Sequence, residues 1–322
     1  MTISGSDAPE LVARAHKADP RALARLVSLI EDGSPRLRSV MKELAPLAGH
    51  ARVIGLTGSP GAGKSTVTSA LVTAYRRQGL RVGVLAIDPT SPFTGGALLG
   101  DRIRMQDHAT DRDVFIRSMA SRGHLGGLAA ATPQVVRALD AARFDVILIE
   151  TVGVGQVEVE IAAMADSVAV LVVPGMGDSI QAAKAGILEI ADVFVVNKAD
   201  RPQAQETIRD LRSMIALAER GPDDWKPPIV TTIATTGEGI AELAGKLDAH
   251  WSWLGSSGER DRRRVARAHE EVAALALGSL RGRMSRLPGE SALGPLAARV
   301  ADGQTDPYSA ADELLDALTD SA

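Results

Sequence analysis

Short apolar runs alternate with helical stretches through the middle of this chain, and this alternation limits the folds that it can adopt. The run Val146-Ile147-Leu148-Ile149 is apolar throughout rather than at every second position. Strands of this kind are buried on both faces, and strands separated by crossover helices pair in parallel. The pattern predicts strands at residues 53–57, 82–87, 114–117, 145–150, 168–173, 193–197 and 229–233. We therefore predict an α/β fold, with a mostly parallel sheet sandwiched by helices.

Two helix starts precede the first strand. Each has a capping residue followed by proline at the first helical position, in Asp19-Pro20 and Ser34-Pro35. The predicted helices stop at Gly33 and Gly49, because glycine readily adopts the left-handed conformation that ends a helix. An apolar face at helical spacing predicts that this arm packs against the main body or a second subunit. The members of that face are Leu23, Leu26, Val27 and Ile30.

The strand pattern ends near residue 255. Residues 259–284 are predicted to form one long helix, and a helical tail follows. We therefore predict an N-terminal helical arm at residues 1–50, an α/β domain at 51–255 and a C-terminal helical arm at 256–322.

Composition excludes several classes of function. The 322 residues carry a formal net charge of −4, which does not favour binding to nucleic acid or to an anionic membrane. The absence of cysteine excludes disulfides, thiolate catalysis and sulfur-ligated metal sites. Charged residues interrupt the first segment, and the apolar runs are shorter than the roughly 20 residues that span a bilayer. We expect neither a secretion signal nor a membrane span, and a cytoplasmic location.

The segment after the first predicted strand matches the phosphate-binding pattern G-x-x-x-x-G-K-[ST]. It consists of Gly58, Ser59, Pro60, Gly61, Ala62, Gly63, Lys64 and Ser65, and Thr66 follows it. Glycines let successive backbone N–H groups point at phosphate oxygens, and the helix N-terminus adds partial positive charge. We predict that these nine residues bind phosphates, that Lys64 reaches the β- and γ-phosphates and that Ser65 ligates Mg²⁺. The predicted fold is thus a P-loop NTPase with helical extensions at both ends.

A magnesium ion at the phosphates also needs carboxylates from neighbouring strand ends. The candidates are Asp88, Asp101 and Glu150, which with Ser65 form the predicted metal set. Asp88 and Glu150 each end a predicted strand, whereas Asp101 lies in a loop. The amide of Gly153, three residues after Glu150, is a candidate to contact the γ-phosphate.

The tetrapeptide Asn197-Lys198-Ala199-Asp200 follows a later strand and matches the N-K-x-D pattern of GTP-binding proteins. A carboxylate only accepts hydrogen bonds, so Asp200 can take both the ring N–H and the 2-amino hydrogens of guanine, a pair that adenine lacks. Unpaired buried acceptors cost about 1–3 kcal/mol each, so discrimination of roughly 100-fold is reasonable. The backbone at Ala234, after the next strand, is a candidate to contact the base oxygen. We predict GTP and GDP as ligands.

Several segments together resemble the MeaB/MMAA (ArgK-like) family of P-loop GTPases, which are chaperones of adenosylcobalamin-dependent methylmalonyl-CoA mutase. The E-x-x-G pattern from Glu150 to Gly153 replaces the D-x-x-G of most GTPases. The other matching segments are Asp88-Pro89-Thr90-Ser91-Pro92, Gly100-Asp101-Arg102-Ile103-Arg104-Met105, Val154-Gly155-Gln156 and Pro174-Gly175-Met176-Gly177-Asp178. The resemblance extends from about residue 15 to about residue 285.

This resemblance implies that GTP hydrolysis gates cofactor loading and protects the mutase, and that the protein is a homodimer with helical arms at both ends. Residues 51–255 would then be the P-loop GTPase domain and residues 256–322 the C-terminal helical dimerisation arm. Switch I would hold Asp101, and switch II would run from Glu150 to about Gln156. Switch III would hold Asp178, Gln181 and Lys184, with Lys184 entering the site when the partner docks. The implied catalytic residues are therefore Lys64, Asp101, Glu150, Gly153 and Lys184. Ser179 and Ala182-Ala183 depart from the family pattern in switch III, which bears on the coupling to the partner.

No residue is identified as the one that positions the attacking water. We expect slow intrinsic hydrolysis that the partner accelerates.

Three alternatives remain open. A metal-delivery GTPase would need a chelating cluster, but the histidines are scattered, at His16, His50, His108, His124, His250 and His269. An ATP-dependent kinase, the arginine or ornithine transport role once attached to this family, conflicts with the guanine pattern. Nucleic-acid binding would use a basic stretch in which acidic residues are interleaved, and such a stretch is typical of a solvated helix face. Its members are Arg260, Arg262, Arg263, Arg264 and Arg267.

Overall fold

The computed structural model describes residues 8–89, 105–108, 110–121, 131–151, 157–175, 187–289 and 292–320. The strands are β1 (Arg52–Gly58), β2 (Val82–Pro89), β3 (Val114–Ser121), β4 (Val146–Thr151), β5 (Ser167–Val172), β6 (Val193–Asn197) and β7 (Ile229–Thr232). The helices before the last strand are α1 (Ala8–His16), α2 (Pro20–Glu31), α3 (Leu37–Leu44), α4 (Lys64–Arg77), α5 (Thr132–Ala141), α6 (Val157–Met164), α7 (Ile187–Ile190) and α8 (Ala204–Leu217). The later helices are α9 (Ile240–Ser257), α10 (Glu259–Met284), α11 (Leu293–Ala301) and α12 (Pro307–Asp320).

Within these described residues, seven strands form one sheet in the order β3-β2-β4-β1-β5-β6-β7. Every pairing is parallel, so the carboxyl ends of all the strands lie together. We call this end of the sheet the carboxyl edge and the opposite end, where the strands begin, the amino edge. In the register of β1 and β4, Leu56 pairs with Glu150. The end of β4 therefore lies beside the loop that follows β1. The predicted α/β fold with a parallel sheet between helices is confirmed.

Side chains of the central strands alternate between two apolar layers. One layer packs the sheet against α4 and α9, with Leu71 and Leu247 among its buried members. The other packs it against α5, α6 and α8 and also includes the N-terminal helices. Burial on both faces explains why the central strands are apolar at nearly every position.

The N-terminal helices share a core with the sheet. Leu26 and Val27 of α2 are fully buried in the layer that holds α5, so the apolar face predicted for this arm packs against the main body. Asp19 caps α2 as predicted, since its side chain accepts hydrogen bonds from the N–H groups of Arg21 and Ala22.

The predicted start of the next helix at Ser34-Pro35 is wrong by two residues. The hydroxyl of Ser34 accepts a hydrogen bond from the Arg36 N–H, and the Ser34 carbonyl accepts one from Leu37. Those bonds close a turn, and α3 begins only at Leu37. A serine followed by proline can start such a turn as well as a helix, so the pattern does not separate the two.

The chain divides into two compact units, residues 1–260 and 261–322. Within the second unit, α11 and α12 share a small apolar cluster formed by Leu296, Ala310 and Leu314. The domain limits given above, at residues 50/51 and 255/256, stay predictions. Among the described residues, no helix combines the length and apolarity needed to cross a membrane.

Candidate active site

The loop between β1 and α4 closes around its own lysine. Lys64 is the first residue of α4, and its side chain turns back along the loop. Its ammonium group donates hydrogen bonds to the carbonyl oxygens of Gly58, at 2.6 Å, and Ser59, at 3.2 Å. These contacts fix a positive charge at the carboxyl edge of the sheet, beside the N-terminus of a helix.

Two glycines of this loop have neighbours that leave no room for a side chain. Gly58 has a φ of +137°, and a Cβ there would lie 2.1 Å from the carbonyl oxygen of Leu171 in β5. Gly63 has a φ of +89°, and a Cβ there would lie 2.4 Å from Nδ2 of Asn197. Gly58 and Gly63 are therefore required by packing as well as by backbone conformation.

The N-terminus of α4 supplies donors for an anion. The first N–H groups of a helix have no partner within the helix, and they carry partial positive charge. Ser65 and Thr66 belong to this first turn, and Ser65 is buried with only 9% exposure. A loop whose backbone curls into a helix start in this way is the usual arrangement for binding phosphates.

Glu150 approaches the same helix from β4. Its side chain is 1% exposed, and its Oε2 lies 2.6 Å from the hydroxyl of Thr68, one turn after Lys64. Ser65 lies three residues before Thr68, on the same side of α4. A buried carboxylate and a serine hydroxyl on facing elements are oxygen donors of the kind that Mg²⁺ prefers. These two residues fit the predicted metal site.

The other predicted residues of this region have no described side chain. The structure gives the backbone of Asp88 within β2 but not its side chain. The others, on which the structure gives nothing, are Asp101, Gly153, Asp178, Gln181 and Lys184. Their predicted roles stay predictions.

The base motif is hydrogen-bonded directly to the phosphate loop. Asn197 ends β6, and its Nδ2 donates to the carbonyl oxygen of Ala62 at 2.8 Å. Lys198 donates from its ammonium to the carbonyl oxygen of Gly61 at 2.9 Å. The two segments are separated by more than 130 residues in the chain. The side chains of Asn197 and Lys198 nonetheless connect the base motif to the backbone of the phosphate loop, and we call the two connected segments the nucleotide frame.

Asn197 also organises the loop after β7. Its Oδ1 accepts hydrogen bonds from the Thr232 hydroxyl at 3.0 Å and from the Ala234 N–H at 3.3 Å. Asp200 is exposed, three residues beyond Asn197. The structure thus brings the motif together with the loop that holds Ala234. An exposed carboxylate beside this frame is accessible to a purine ring.

Two threonines of the site are absent from the sequence predictions. Thr68 faces Glu150, and Thr232 holds the amide of Asn197. Both are fully buried, although threonine is a polar residue. A polar residue at an otherwise apolar position is a signal that a sequence offers, but its partner depends on how the strands align.

Comparison with known proteins decides the family. The model of the family described as "Methylmalonyl Co-A mutase-associated GTPase MeaB" matches residues 23–288. This chain belongs to the MeaB family of GTPases.

Curated relatives of this MeaB-family chain extend over most of its length. A relative from Pyrococcus abyssi, named for GTPase activity, is 49% identical over 311 residues, which cover 95% of each chain. The GTPase ArgK of Escherichia coli is 38% identical over 241 residues, which cover 73% of each chain. A methylmalonic aciduria type A homolog of Caenorhabditis elegans is 36% identical, over 66% of this chain and 54% of that protein.

A solved structure has the same architecture. The crystal structure of an LAO/AO transport system kinase matches this MeaB-family chain with a TM-score of 0.72 and 26% sequence identity. The match covers 98% of this chain and 99% of the other. The resemblance therefore extends beyond the sheet to both ends of the chain.

Proposed function

We propose that this MeaB-family GTPase is a guanine-selective, Mg²⁺-dependent enzyme that acts in the cytoplasm as a switch and chaperone for adenosylcobalamin-dependent methylmalonyl-CoA mutase. Hydrolysis of GTP to GDP and phosphate would gate loading of the cofactor and protect the mutase from inactivation. The hydrogen bonds from Asn197 and Lys198 into the phosphate loop carry the nucleotide part of this proposal. The family description carries the mutase part.

The phosphate end of GTP would be bound by the loop from Gly58 to Thr66. Its backbone N–H groups and the start of α4 favour negative charge, and Lys64 supplies a full positive charge at the same place. The lysine ammonium already has fixed anchors on two loop carbonyls, which limits the side-chain entropy lost when a phosphate binds.

Ser65 and Glu150 would hold the metal, together with Asp88 and Asp101. The chemistry that Mg²⁺ supplies when bound is neutralisation of the charge that develops on the β- and γ-phosphates. The Thr68 hydroxyl contacts Glu150 and fixes the carboxylate toward α4. Phosphoryl transfer depends mainly on such positioning, so this chain's residues need only align the nucleotide with a water molecule.

The purine end would be bound by Asn197, Lys198, Asp200 and Ala234. Asp200 would accept the two guanine hydrogens, while the loop of Ala234 is held in place by Asn197 Oδ1. Adenine would leave the carboxylate unpaired, and that loss is the physical basis of selectivity.

The switch mechanism would follow from the γ-phosphate. Its contacts would order the switch loops, and its loss would release them, giving the partner two surfaces to distinguish. We propose Asp101 for switch I, Gly153 for switch II, and Asp178, Gln181 and Lys184 for switch III, with Lys184 acting when the mutase docks. Single-turnover hydrolysis should therefore be faster with the mutase than without it. Equal rates would contradict partner activation.

A homodimer through the C-terminal arm completes the proposal. The long helix α10 exposes several large apolar side chains along its middle, which a second copy would cover. They are Val265, Val272, Leu275, Leu277 and Leu280, with exposures from 44% to 70%.

Co-purification with the mutase of the same organism tests the chaperone role. The mutase should be retained on this protein, and the amount retained should differ between GTP and GDP. Lys64→Ala should abolish the nucleotide dependence, whereas Lys246→Ala, a change at an exposed lysine of α9, should not. Retention of no mutase with either nucleotide would remove the chaperone role but leave the GTPase activity.

The name of the matched solved structure favours one second candidate, an ATP-dependent transport kinase. Competition between ATP and GTP for the site distinguishes the two, because Asp200 pairs with guanine alone. Tighter binding of ATP, with transfer of its phosphate to a small molecule, would support the kinase. The metal-delivery alternative is tested separately by equilibrium dialysis with nickel or zinc.

A further inference from the structure

A cavity lies at the amino edge of the sheet, whereas the nucleotide motifs lie at the carboxyl edge. Its volume is about 470 Å³, within the range of roughly 300–1,000 Å³ usual for small-molecule pockets. It is lined by the first residue of β1, Arg52, and by Asp145, which directly precedes β4. The nucleotide motifs follow the carboxyl ends of the strands, so this cavity at their amino ends is a separate site.

The carboxylates that line this cavity are directed at backbone groups. Asp140 accepts hydrogen bonds from the N–H groups of Gly49, at 2.5 Å, His50, at 3.1 Å, and Ala51, at 3.0 Å. Asp145 accepts one from the Arg81 N–H at 2.7 Å. Their negative charge is therefore stabilised by fixed donors of the protein itself.

The two arginines that line the cavity differ in their ion-pair partners. Arg52 pairs with Asp248, whereas Arg143 is exposed and makes no side-chain ion pair within the described part of the chain. His16 and His50 also line the cavity, and Nδ1 of His16 lies 2.7 Å from the carbonyl oxygen of Ala141. The groups available to a ligand are thus mainly donors, and they favour an anion.

Arg143 occupies a backbone position where glycine is the usual residue. Its N–H donates to the backbone carbonyl oxygen of Asp140, and the N–H of Phe144 donates to that of Leu139. This is the hydrogen-bond pattern that ends a helix with a left-handed residue. The φ of Arg143 is +66°, a conformation unfavourable for a residue with a side chain. The same pattern has glycine after α2 and α4, at Gly33 and Gly79.

The left-handed position after α5 thus holds a residue with a side chain, although glycine would adopt this backbone conformation with less strain. Ala18 occupies the corresponding position after α1 with a φ of +62°, so the conformation alone does not indicate a ligand. Arg143 differs from Ala18 because it lines a cavity and carries a charged side chain. That difference makes Ala18 a matched control for the backbone effect.

Apolar surface completes the cavity. Leu47, Leu80 and Trp251 line it, and the Trp251 ring is already contacted by the guanidinium of Arg260, 5.3 Å from the ring centre. We propose that this cavity binds a small organic anion, a carboxylate or phosphate ester on a flat apolar body, with Arg143 as its principal cation. The inference does not depend on the proposed GTPase chemistry.

Binding is tested on the full chain, saturated with GDP and Mg²⁺ so that the phosphate loop is occupied. The probes are indole-3-carboxylate and phenyl phosphate, compared with indole and inorganic phosphate, which each lack one half of the proposed ligand. Saturation-transfer NMR and calorimetry should detect the full probes with a Kd on the order of 1 mM or tighter, as expected for about a dozen heavy atoms. Indole and inorganic phosphate should bind at least roughly tenfold more weakly, because each makes only half of the contacts. Preference for one full probe identifies the anionic head group.

Arg143→Gly should weaken binding of the full probes by roughly tenfold or more, because it removes a charged hydrogen-bond donor. It should leave the urea midpoint equal or higher, since it relieves the backbone conformation. Ala18→Gly should shift the midpoint in the same direction without changing probe binding. Unchanged affinity in Arg143→Gly, or no saturable binding to the wild type up to roughly 10 mM, would overturn the proposal. GDP affinity, measured on the same samples, should be equal in all three proteins and reports separately on the nucleotide site.

Discussion

At the scale of single residues, the site depends on two charges at opposite ends of the proposed nucleotide. Lys64 is nearly buried and is anchored to the loop that precedes it. Asp200 is exposed at the other end of the frame. One residue would recognise what all nucleoside triphosphates share, and the other would recognise what only guanine has. Their substitution should therefore have different consequences.

Replacement of Lys64 by alanine should abolish GTP binding or turnover, because no other side chain of the loop carries a positive charge. Titration calorimetry with a non-hydrolysable GTP analogue, and phosphate release with GTP, measure the two effects. Lys246→Ala serves as the control because it removes an exposed lysine of α9 far along the chain. Wild-type affinity together with wild-type turnover in Lys64→Ala would remove this lysine from the site.

Replacement of Asp200 by asparagine should shift preference from guanosine to xanthosine nucleotides. The amide donates where the carboxylate accepted, and xanthine has a carbonyl oxygen in place of the 2-amino group of guanine. We expect discrimination against GTP of roughly 100-fold relative to the wild type, measured by competition against labelled GDP. Asp210→Asn, at an exposed position of α8, controls for the loss of one negative charge. Unchanged selectivity would remove Asp200 from the base site.

At the scale of elements, the ends of strands and helices determine what the loops between them can do. β1 ends at Gly58, where the backbone has a positive φ and the neighbouring strand β5 leaves no space for a Cβ. The loop is thus shaped by β5 on one side and by Asn197 on the other.

Gly58→Ala should lower the free energy of unfolding by about 2 kcal/mol or more, because it combines a positive φ with a clash against the Leu171 carbonyl. Gly33→Ala is the matched control. It also has a positive φ, but a Cβ there meets nothing within 4 Å. The control should lose only about 1 kcal/mol. Equal losses in urea unfolding would show that backbone conformation, and not packing, governs Gly58.

Asp306 should make the stability of α12 depend on pH on the acid side. The Ser309 hydroxyl, with the N–H groups of Ser309 and Tyr308, holds the pKa of this carboxyl below its ordinary value. A carboxyl whose pKa is lower in the folded state stabilises the fold above its unfolded pKa and loses that contribution as pH falls through the folded one. Asp306→Ala should therefore cost more stability at pH 7 than at pH 3.

Urea unfolding at the two pH values measures this difference. Asp306→Asn keeps a hydrogen-bond acceptor at the cap, so it should retain part of the stabilisation and show less pH dependence. A loss in Asp306→Ala that is equal at both pH values would contradict the assignment.

How much the sequence reveals differs between elements. The central strands are predicted to within two residues, because burial on both faces leaves a continuous apolar run. β3 extends to Ser121, four residues past its predicted end. It lies at the edge of the sheet, and a half-buried strand tolerates residues such as Arg117 that interrupt the apolar pattern. The phosphate and base motifs can be recognised in the sequence. The hydrogen bond from Asn197 to Ala62 cannot, because it depends on the order of the strands in the sheet.

At the scale of the whole molecule, the two edges of one parallel sheet have different surroundings. The carboxyl edge holds the nucleotide motifs, and the amino edge holds the cavity of Arg52 and Arg143. Among its described residues, the second compact unit, residues 261–322, has one small apolar cluster, around Leu296 and Leu314. Association with another chain would bury the exposed leucines of α10 and so stabilise a unit whose own core is small.

Leu275→Glu should weaken self-association by roughly tenfold or more, because a charge would enter the apolar surface that a second copy covers. Light scattering after size-exclusion chromatography, over a range of concentrations, measures the change in mass. Leu217→Glu is the control, since Leu217 is 84% exposed but belongs to α8 of the first unit. A monomeric wild type, or an equal effect of both variants, would contradict a dimer through α10.

The tie between Asn197 and Ala62 gives the nucleotide frame a fixed span. A nucleotide bound as proposed would contact both segments, so a shift of one segment would alter the fit of the ligand to the other. Guanosine without phosphates, or a triphosphate with a base other than guanine, would make the proposed contacts at only one end of the nucleotide frame. Substitution of Asn197 would accordingly weaken phosphate binding, because Asn197 holds the phosphate loop through Ala62.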